Sequence, residues 1–181
     1  RRLSIRYWDL SPNENNKLLR QAAWQLGVSV APMRRNVKGC WNLGYCGMGC
    51  PTNAKQSMLV TTIPAALARG GVLAHHLRAE RLLRKGDRIE ALECPAMHEA
   101  GIHALPYRVR VRAKHFVLAA GAIGTPQILQ LSGIGNPDLL RRHGVTIQHE
   151  LSGVGENLQD HLQIRCAFKV QGVRTLNENT Q

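Results

Sequence analysis

The sequence predicts an α/β fold, and three observations carry that expectation. A punctuated amphipathic helix opens near residue 11, a charged hairpin turns at Lys85-Gly86-Asp87, and an apolar strand at 116–118 passes through three small residues into a second capped helix. Strands that alternate with helices across such turn residues bury their apolar faces as mixed layers.

Taken in order, Ser11-Pro12-Asn13-Glu14 supplies an N-cap, a proline at the first helical position and a carboxylate three residues after the cap, and Gly27 supplies the stop. Between them Leu18, Leu19, Ala22, Ala23 and Leu26 fall on one stripe. This helix is expected to be structural.

Residues 31–53 lack periodicity but contain "CWNLGYCGMGCPTN", with Cys40, Cys46 and Cys50 close together. Thiolates so near could hold a metal or an iron–sulfur cluster if Cys94 or a histidine completed the set. No Cys-x-x-Cys is present, which favours a tight Gly-Cys loop packed near a cofactor or substrate. Residues 54–69 read as a helix broken at Pro64 and stopped by Gly70-Gly71. A strand to about Leu83, the turn at 85–87 and a return strand from Arg88 follow. His75 and His76, adjacent on a strand, would point to opposite sides, which argues against a joint catalytic role. In "YRVRVRAKHFVLAAG" arginine and valine alternate before the run turns wholly apolar, as for a strand wet on one face that enters a buried sheet.

The most constrained stretch is "GAIGTPQILQLSGIG", residues 121–135. Phe116-Val117-Leu118 is expected as a buried strand and Ala119-Ala120-Gly121 as its small-residue end. Thr125-Pro126 then reads as the cap and first turn of a helix that stops at Ser132-Gly133. Small residues at a strand end let backbone approach a ligand, and a helix N-terminus favours anions, so a dinucleotide pyrophosphate fits. Close packing of strand on helix accounts for Ala-Ala-Gly but not for the whole string.

Composition narrows the alternatives. The 181 residues, 44% of them apolar, allow one core or two small ones. The net charge of +12 raises nucleic-acid binding as an alternative, yet the 24 lysines and arginines are scattered and aromatics make up only 4%. No apolar run approaches the roughly 20 residues that span a bilayer, and no leader opens the chain, so a soluble protein is expected. Five cysteines, an odd number unevenly spread, argue against a disulfide framework and leave cytoplasmic and membrane-associated locations both open. The start at Arg1-Arg2 and the polar end "LNENTQ" are expected of an internal piece of a longer chain.

Position for position, "GAIGTPQILQLSGIG" resembles the second signature of the glucose-methanol-choline (GMC) oxidoreductase family. "NAKQSMLVTTIPAAL", "AKHFVLAAGAIGTPQILQLSGIG" and "LLRRHGVTIQHELSGVGENLQDH" follow the order of that family's middle section, covering nearly the whole chain from about Ser11. The end, "GVGENLQDHLQIRCAFKVQGVRTLNE", is most similar to the choline and alcohol dehydrogenase branch.

The resemblance implies part of a Rossmann-like FAD-binding domain with a β-meander, plus the start of an antiparallel-sheet substrate domain. It divides the chain into residues 1–64, a helix and Gly/Cys loop near the flavin and substrate; 65–155, FAD-binding; and 156–181, the start of the substrate domain. It implies FAD as cofactor, an alcohol as substrate, and oxygen or a quinone as electron acceptor, with hydride passing from the alcohol carbon to the flavin. It places the Ala79 backbone at the adenine, Ala120 and Gly121 at the pyrophosphate, and the loop of Asn42 and Gly47 toward the flavin ring. Asn157, Asp160 and His161 fall at the crossover into the substrate domain, with a structural role. The family's Gly-x-Gly-x-x-Gly and its catalytic histidine match no residues here, so no catalytic residue is expected and the piece alone is expected to be inactive.

Overall fold

The computed structural model describes residues 3–7, 11–164, 169 and 171–172. In chain order its elements are β1 (Ile5–Tyr7), α1 (Glu14–Gln25), β2 (Arg34–Asn36), α2 (Thr62–Leu67), β3 (Arg81–Lys85), β4 (Arg88–Met97), β5 (Ala104–Arg112), α3 (Gly121–Leu131), β6 (Ile134–Gly135), α4 (Pro137–Arg142) and β7 (His149–Glu150). This is the mixed helix and strand content expected. It forms two compact units, residues 1–75 and 76–181. Among the described residues no helix is long and apolar enough to cross a membrane.

In the first unit β1 pairs antiparallel with β2, Ile5 opposite Asn36 and Tyr7 opposite Arg34. The Arg34 guanidinium lies over the Tyr7 ring at 4.9 Å, an exposed contact that contributes about 0.5–1 kcal/mol. Asn36 ties three segments together: its Oδ1 accepts from the Ser4 N–H at 2.9 Å and its Nδ2 donates to the Gln56 carbonyl at 2.7 Å. The Lys38 N–H donates to the carbonyl of buried Ala54 at 2.9 Å, beside a bridge from Val37 to Lys55. The cysteine loop is therefore closed at its base.

α1 starts two residues later than its punctuation predicts. Asn13 is the N-cap, its Oδ1 accepting from the Asn16 N–H at 2.9 Å, and Ser11 and Pro12 precede the helix. Asparagine caps as well as serine, and this start sets Glu14 in the first turn, where the helix dipole favours it and Lys17 pairs with it at 2.7 Å. Gly27 ends the helix at φ 68°. No residue of α1 is buried, and Leu26 is 78% exposed, so the apolar stripe exists without a covering surface in this unit. The helix expected over 54–69 shrinks to α2. Pro64 is its third residue, a position whose N–H has no intrahelical partner, so it helps begin the helix instead of breaking it. The Gly70 and Gly71 N–H groups cap the Leu67 and Ala66 carbonyls, each at 3.0 Å.

The second unit is built on an antiparallel meander in the order β3-β4-β5. The turn at Gly86-Asp87 is as expected, Lys85 opposing Arg88 and Gly86 adopting φ 59°. Leu82, Ala91, Cys94, Ala96 and Met97 of this sheet form the core together with Ile128, Leu140 and Val154. α3 packs on β3, and α4 begins at an Asn136 cap that accepts from the Asp138 and Leu139 N–H groups. β6 and β7 pair in parallel.

Three local expectations change in and just before this unit. His75 and His76 lie in no strand; His76 has φ 56° and its carbonyl accepts from the Met97 N–H at 2.8 Å. Phe116-Val117-Leu118 forms no strand either, and Val117 is 88% exposed. An apolar strand is stable only between neighbouring strands, and none among the described residues pairs with it. α3 starts at Gly121, so Thr125 and Pro126 lie inside it, and Thr125 Oγ1 reaches back to accept from the Ala120 N–H at 3.0 Å. Of the sheet expected from "HLQIRCAFKV", residues 161–164 are in no strand, and residues 165–168 and 170 lie outside the described residues.

Candidate functional site

Two places hold the residues singled out by the sequence, one in each unit. In the second unit, Ala120 and Gly121 form the N-terminal end of α3 and are exposed. No side chain caps the helix there and its first turn contains no carboxylate. Gly121 has φ 86°, and a Cβ built on it would meet no atom within 4 Å. The Ala120 N–H is taken by Thr125 Oγ1, while the first turn after it has no side-chain cap and open space beside Gly121, a setting that suits an anion such as a diphosphate.

The rest of the glycine-rich string has a different explanation. A Cβ on Gly133 would lie 2.2 Å from the Thr146 carbonyl oxygen and 2.8 Å from Gln148 Cγ. Buried Ser132 accepts the Leu82 N–H on its Oγ at 2.8 Å and donates to the Ile128 carbonyl. This half of the string is packing, so close contact within the chain explains more of it than the sequence reading allowed.

Ala79 is half-buried just before β3. Its neighbours Arg78 and Glu80 donate to the Pro95 and Glu93 carbonyls at 3.1 Å each. Backbone alternation therefore turns the N–H and C=O of Ala79 away from β4. Asn157, Asp160 and His161 lie along one exposed segment: Asn157 has φ 55° and accepts from Gln159 Nε2 at 3.1 Å, and Asp160 accepts from the His161 N–H at 2.7 Å.

The meander carries a charge network with no local sequence signal. The Glu93 side chain, 8% exposed, meets Arg81 at 2.9 Å, Arg108 at 3.4 Å and Arg110 at 3.7 Å, and Arg108 also meets Glu80 at 3.0 Å. Register brings these groups together, since Glu93 stands opposite both Arg81 and Arg110. Several arginines of the basic excess are thus internally neutralised, and the nucleic-acid alternative gains no support. On the next residue, buried Cys94 is pushed above its ordinary pKa by desolvation and by the Glu80 and Glu93 charges.

In the first unit, Asn42 and Gly47 are exposed on the loop closed at Ala54, with Asn42 at φ 58° and its N–H donating to Cys40 Sγ at 3.4 Å. Leu43, Tyr45, Met48, Gly49, Pro51 and Leu59 give one wall of the loop an apolar cavity of about 670 Å³. A second cavity, about 530 Å³, is lined by Cys40, Cys46 and Cys50 together with Arg35, Lys55 and Met58. Cys50 is held down to about pKa 7, first by the Lys55 N–H and then by the Thr52 hydroxyl, 3.6 Å from its sulfur. Among the described residues no three His, Cys, Asp or Glu side chains are grouped to hold a metal ion, and Cys94 sits in the other unit's sheet, so the metal alternative gains no support.

With this geometry in place, comparison with known proteins decides the family. The family model described as GMC oxidoreductase matches residues 1–163. The chain belongs to the GMC oxidoreductase family. It is 61% identical over 164 residues to an oxygen-dependent choline dehydrogenase of Klebsiella pneumoniae, an alignment that takes in 88% of this chain and 29% of that protein. To oxygen-dependent choline dehydrogenase 1 of Chromohalobacter salexigens it is 33% identical over 164 residues, 88% of the chain and 28% of the relative. Among solved structures, an FAD-dependent oxidoreductase from Chaetomium thermophilum aligns with TM-score 0.51 and 28% identity over 59% of this chain and 18% of its own. The chain thus spans under a third of the length of these relatives. The family expected from residues 121–135 is the family found.

Proposed function

We propose that this GMC oxidoreductase chain is the cofactor-proximal part of an FAD-dependent enzyme that oxidises an alcohol to a carbonyl. The observation that carries the reading is the N-terminal end of α3, where no side chain caps the first turn and the space beside Gly121 is open. Its support from outside is the solved relative's description as FAD-dependent and the choline dehydrogenase relatives. Choline is accordingly the first alcohol to try, with oxygen or a quinone as acceptor.

In this reading FAD supplies the redox chemistry by accepting hydride from the alcohol carbon. The residues of this chain bind and orient. The first turn of α3 holds the diphosphate, with no carboxylate there to repel it. The outward backbone groups of Ala79 hydrogen-bond the adenine edge, a role that needs no particular side chain. The loop of Asn42 and Gly47 lies toward the flavin ring. Asn157, Asp160 and His161 fix the crossover to the substrate domain by local hydrogen bonds and do no chemistry. Residues 1–64, 65–155 and 156–181 follow the flavin-side, FAD-binding and substrate-domain division, with the 65–155 portion Rossmann-like. The 181 residues alone have no turnover, since no residue here matches the family's general base.

The test is purification of the full chain. It should be yellow, hold FAD, and bleach anaerobically with choline or another alcohol. A folded, colourless protein that refuses added FAD would overturn the proposal.

A further inference from the structure

Cys40, Cys46 and Cys50 line one cavity, and neither the family reading nor a metal accounts for three thiols there. The chain around them is already curled, since the Met48 N–H donates to the Tyr45 carbonyl at 3.1 Å and Gly49 adopts φ 113°. Cys50 Sγ faces the Thr52 hydroxyl at 3.6 Å and the N–H groups of the turn that ends at Lys55. Among the described residues, the charged groups lining the two adjoining cavities are Arg35 and Lys55, Tyr45 is the titratable group besides the three cysteines, and no Asp or Glu lines either wall. This is an electropositive, solvent-reachable setting of the kind that keeps a thiol ionised.

We propose that Cys50 is a peroxide-reactive modification site whose oxidised form is captured by Cys46 as a disulfide within the loop. In the first step the Cys50 thiolate attacks one oxygen of a hydroperoxide; the O–O bond breaks, sulfur is oxidised to sulfenic acid, and the released oxide takes a proton to leave as water or an alcohol. In the second, the Cys46 sulfur attacks Cys50 sulfur, the S–O bond breaks, and the oxygen leaves as water with the Cys46 proton. A thiol reductant reverses the product. Cys46 is the partner because it is exposed and separated from Cys50 only by Gly47, Met48 and Gly49, whereas Cys40 is half-buried with its sulfur accepting the Asn42 N–H. The inference does not depend on the flavin reading.

The experiment is site-resolved mass spectrometry on the full chain. Iodoacetamide labelling of Cys50 should rise with a midpoint near pH 7. Relative to a thiol of pKa about 8.5, its larger thiolate fraction at pH 7 gains about 15-fold and its lower basicity gives back about fivefold, so labelling should be roughly three times faster. After dilute hydrogen peroxide, the protein should contain a Cys46–Cys50 disulfide, and Cys46→Ser should instead show Cys50 sulfenic acid trapped by a dimedone probe. A Cys50 labelling midpoint above pH 8, or peroxide products that spare Cys50, overturns the proposal. A Cys40–Cys50 disulfide in the unsubstituted protein overturns the assignment of Cys46. Because labelling is read on the unsubstituted protein, a misfolded variant does not decide the outcome.

Discussion

Ser132 Oγ accepts the backbone N–H of Leu82 at 2.8 Å, joining the end of α3 to the edge strand β3 across 50 residues of sequence. Both residues are buried, so the bond is shielded from water. Ser132→Ala would leave the Leu82 N–H without its acceptor, a cost of about 1–3 kcal/mol. The expected result is a lower denaturation midpoint for the full chain with an unchanged denaturant slope; a midpoint equal to the parent's would show that water replaces the hydroxyl.

Glu93 and Asp87 both pair with arginine, yet their contributions should differ widely. The Glu93 side chain is 8% exposed among three guanidinium groups, whereas Asp87 is 99% exposed opposite Arg84 at 3.0 Å. Glu93→Gln removes the buried carboxylate on which three half-exposed guanidinium groups converge and should cost about 1.5 kcal/mol or more. Asp87→Asn should cost less than about 1 kcal/mol, and added salt should erase even that. Equal losses in chemical denaturation would sink the distinction.

These two sites also mark the limit of what local sequence conveys. The β3–β4 turn was legible because Lys85-Gly86-Asp87 sets the turn within a few residues, and the α1 stop because Gly27 can adopt a left-handed backbone. Glu93's partners were not legible, since a register spanning two hairpins assembles them. The β1–β2 pairing was missed for the same reason. α4 has a readable start in Asn136-Pro137-Asp138, a cap, a first-turn proline and a favourable acid. The strand expected at 116–118 failed because an apolar run specifies burial without supplying a sheet to be buried in. At the candidate site the small residues 119–121 were legible, while the sulfur setting of Cys50 arises from a turn at 52–55 that no pattern announces.

The Cys94 thiol gives a pH signature. Burial and the nearby Glu80 and Glu93 charges raise its pKa above 9.0 in the folded chain, so the folded state holds its proton after the unfolded state has released it. Its contribution is intact below about pH 9 and is lost as pH climbs through and beyond that value. Stability of the parent should therefore fall more steeply between pH 8.5 and 10, on the order of one protonation step, than that of Cys94→Ala. Parallel curves would place the thiol outside this linkage. The same residue should resist alkylation until unfolding.

Two glycines of one string should respond unequally to the same added methyl. At Gly133 the backbone has φ 77° and the new Cβ would sit 2.2 Å from the Thr146 carbonyl oxygen, in a segment held against Gly133 by the Gln148 and His149 N–H groups, which donate to the Gly133 carbonyl at 2.8 and 3.1 Å. Gly133→Ala should cost roughly 4 kcal/mol or more, because neither partner is the free end of a side chain. At Gly121 nothing lies within 4 Å of the added atom, so Gly121→Ala carries only the left-handed backbone strain of about 1–2 kcal/mol. The full chain should survive that loss folded, yet hold FAD more weakly, because the methyl occupies the space proposed for the diphosphate. Fluorescence titration of released flavin against thermal midpoint separates the two effects. Gly121→Ala with parental FAD affinity would leave the first turn of α3 without a ligand role, whatever Gly133 does.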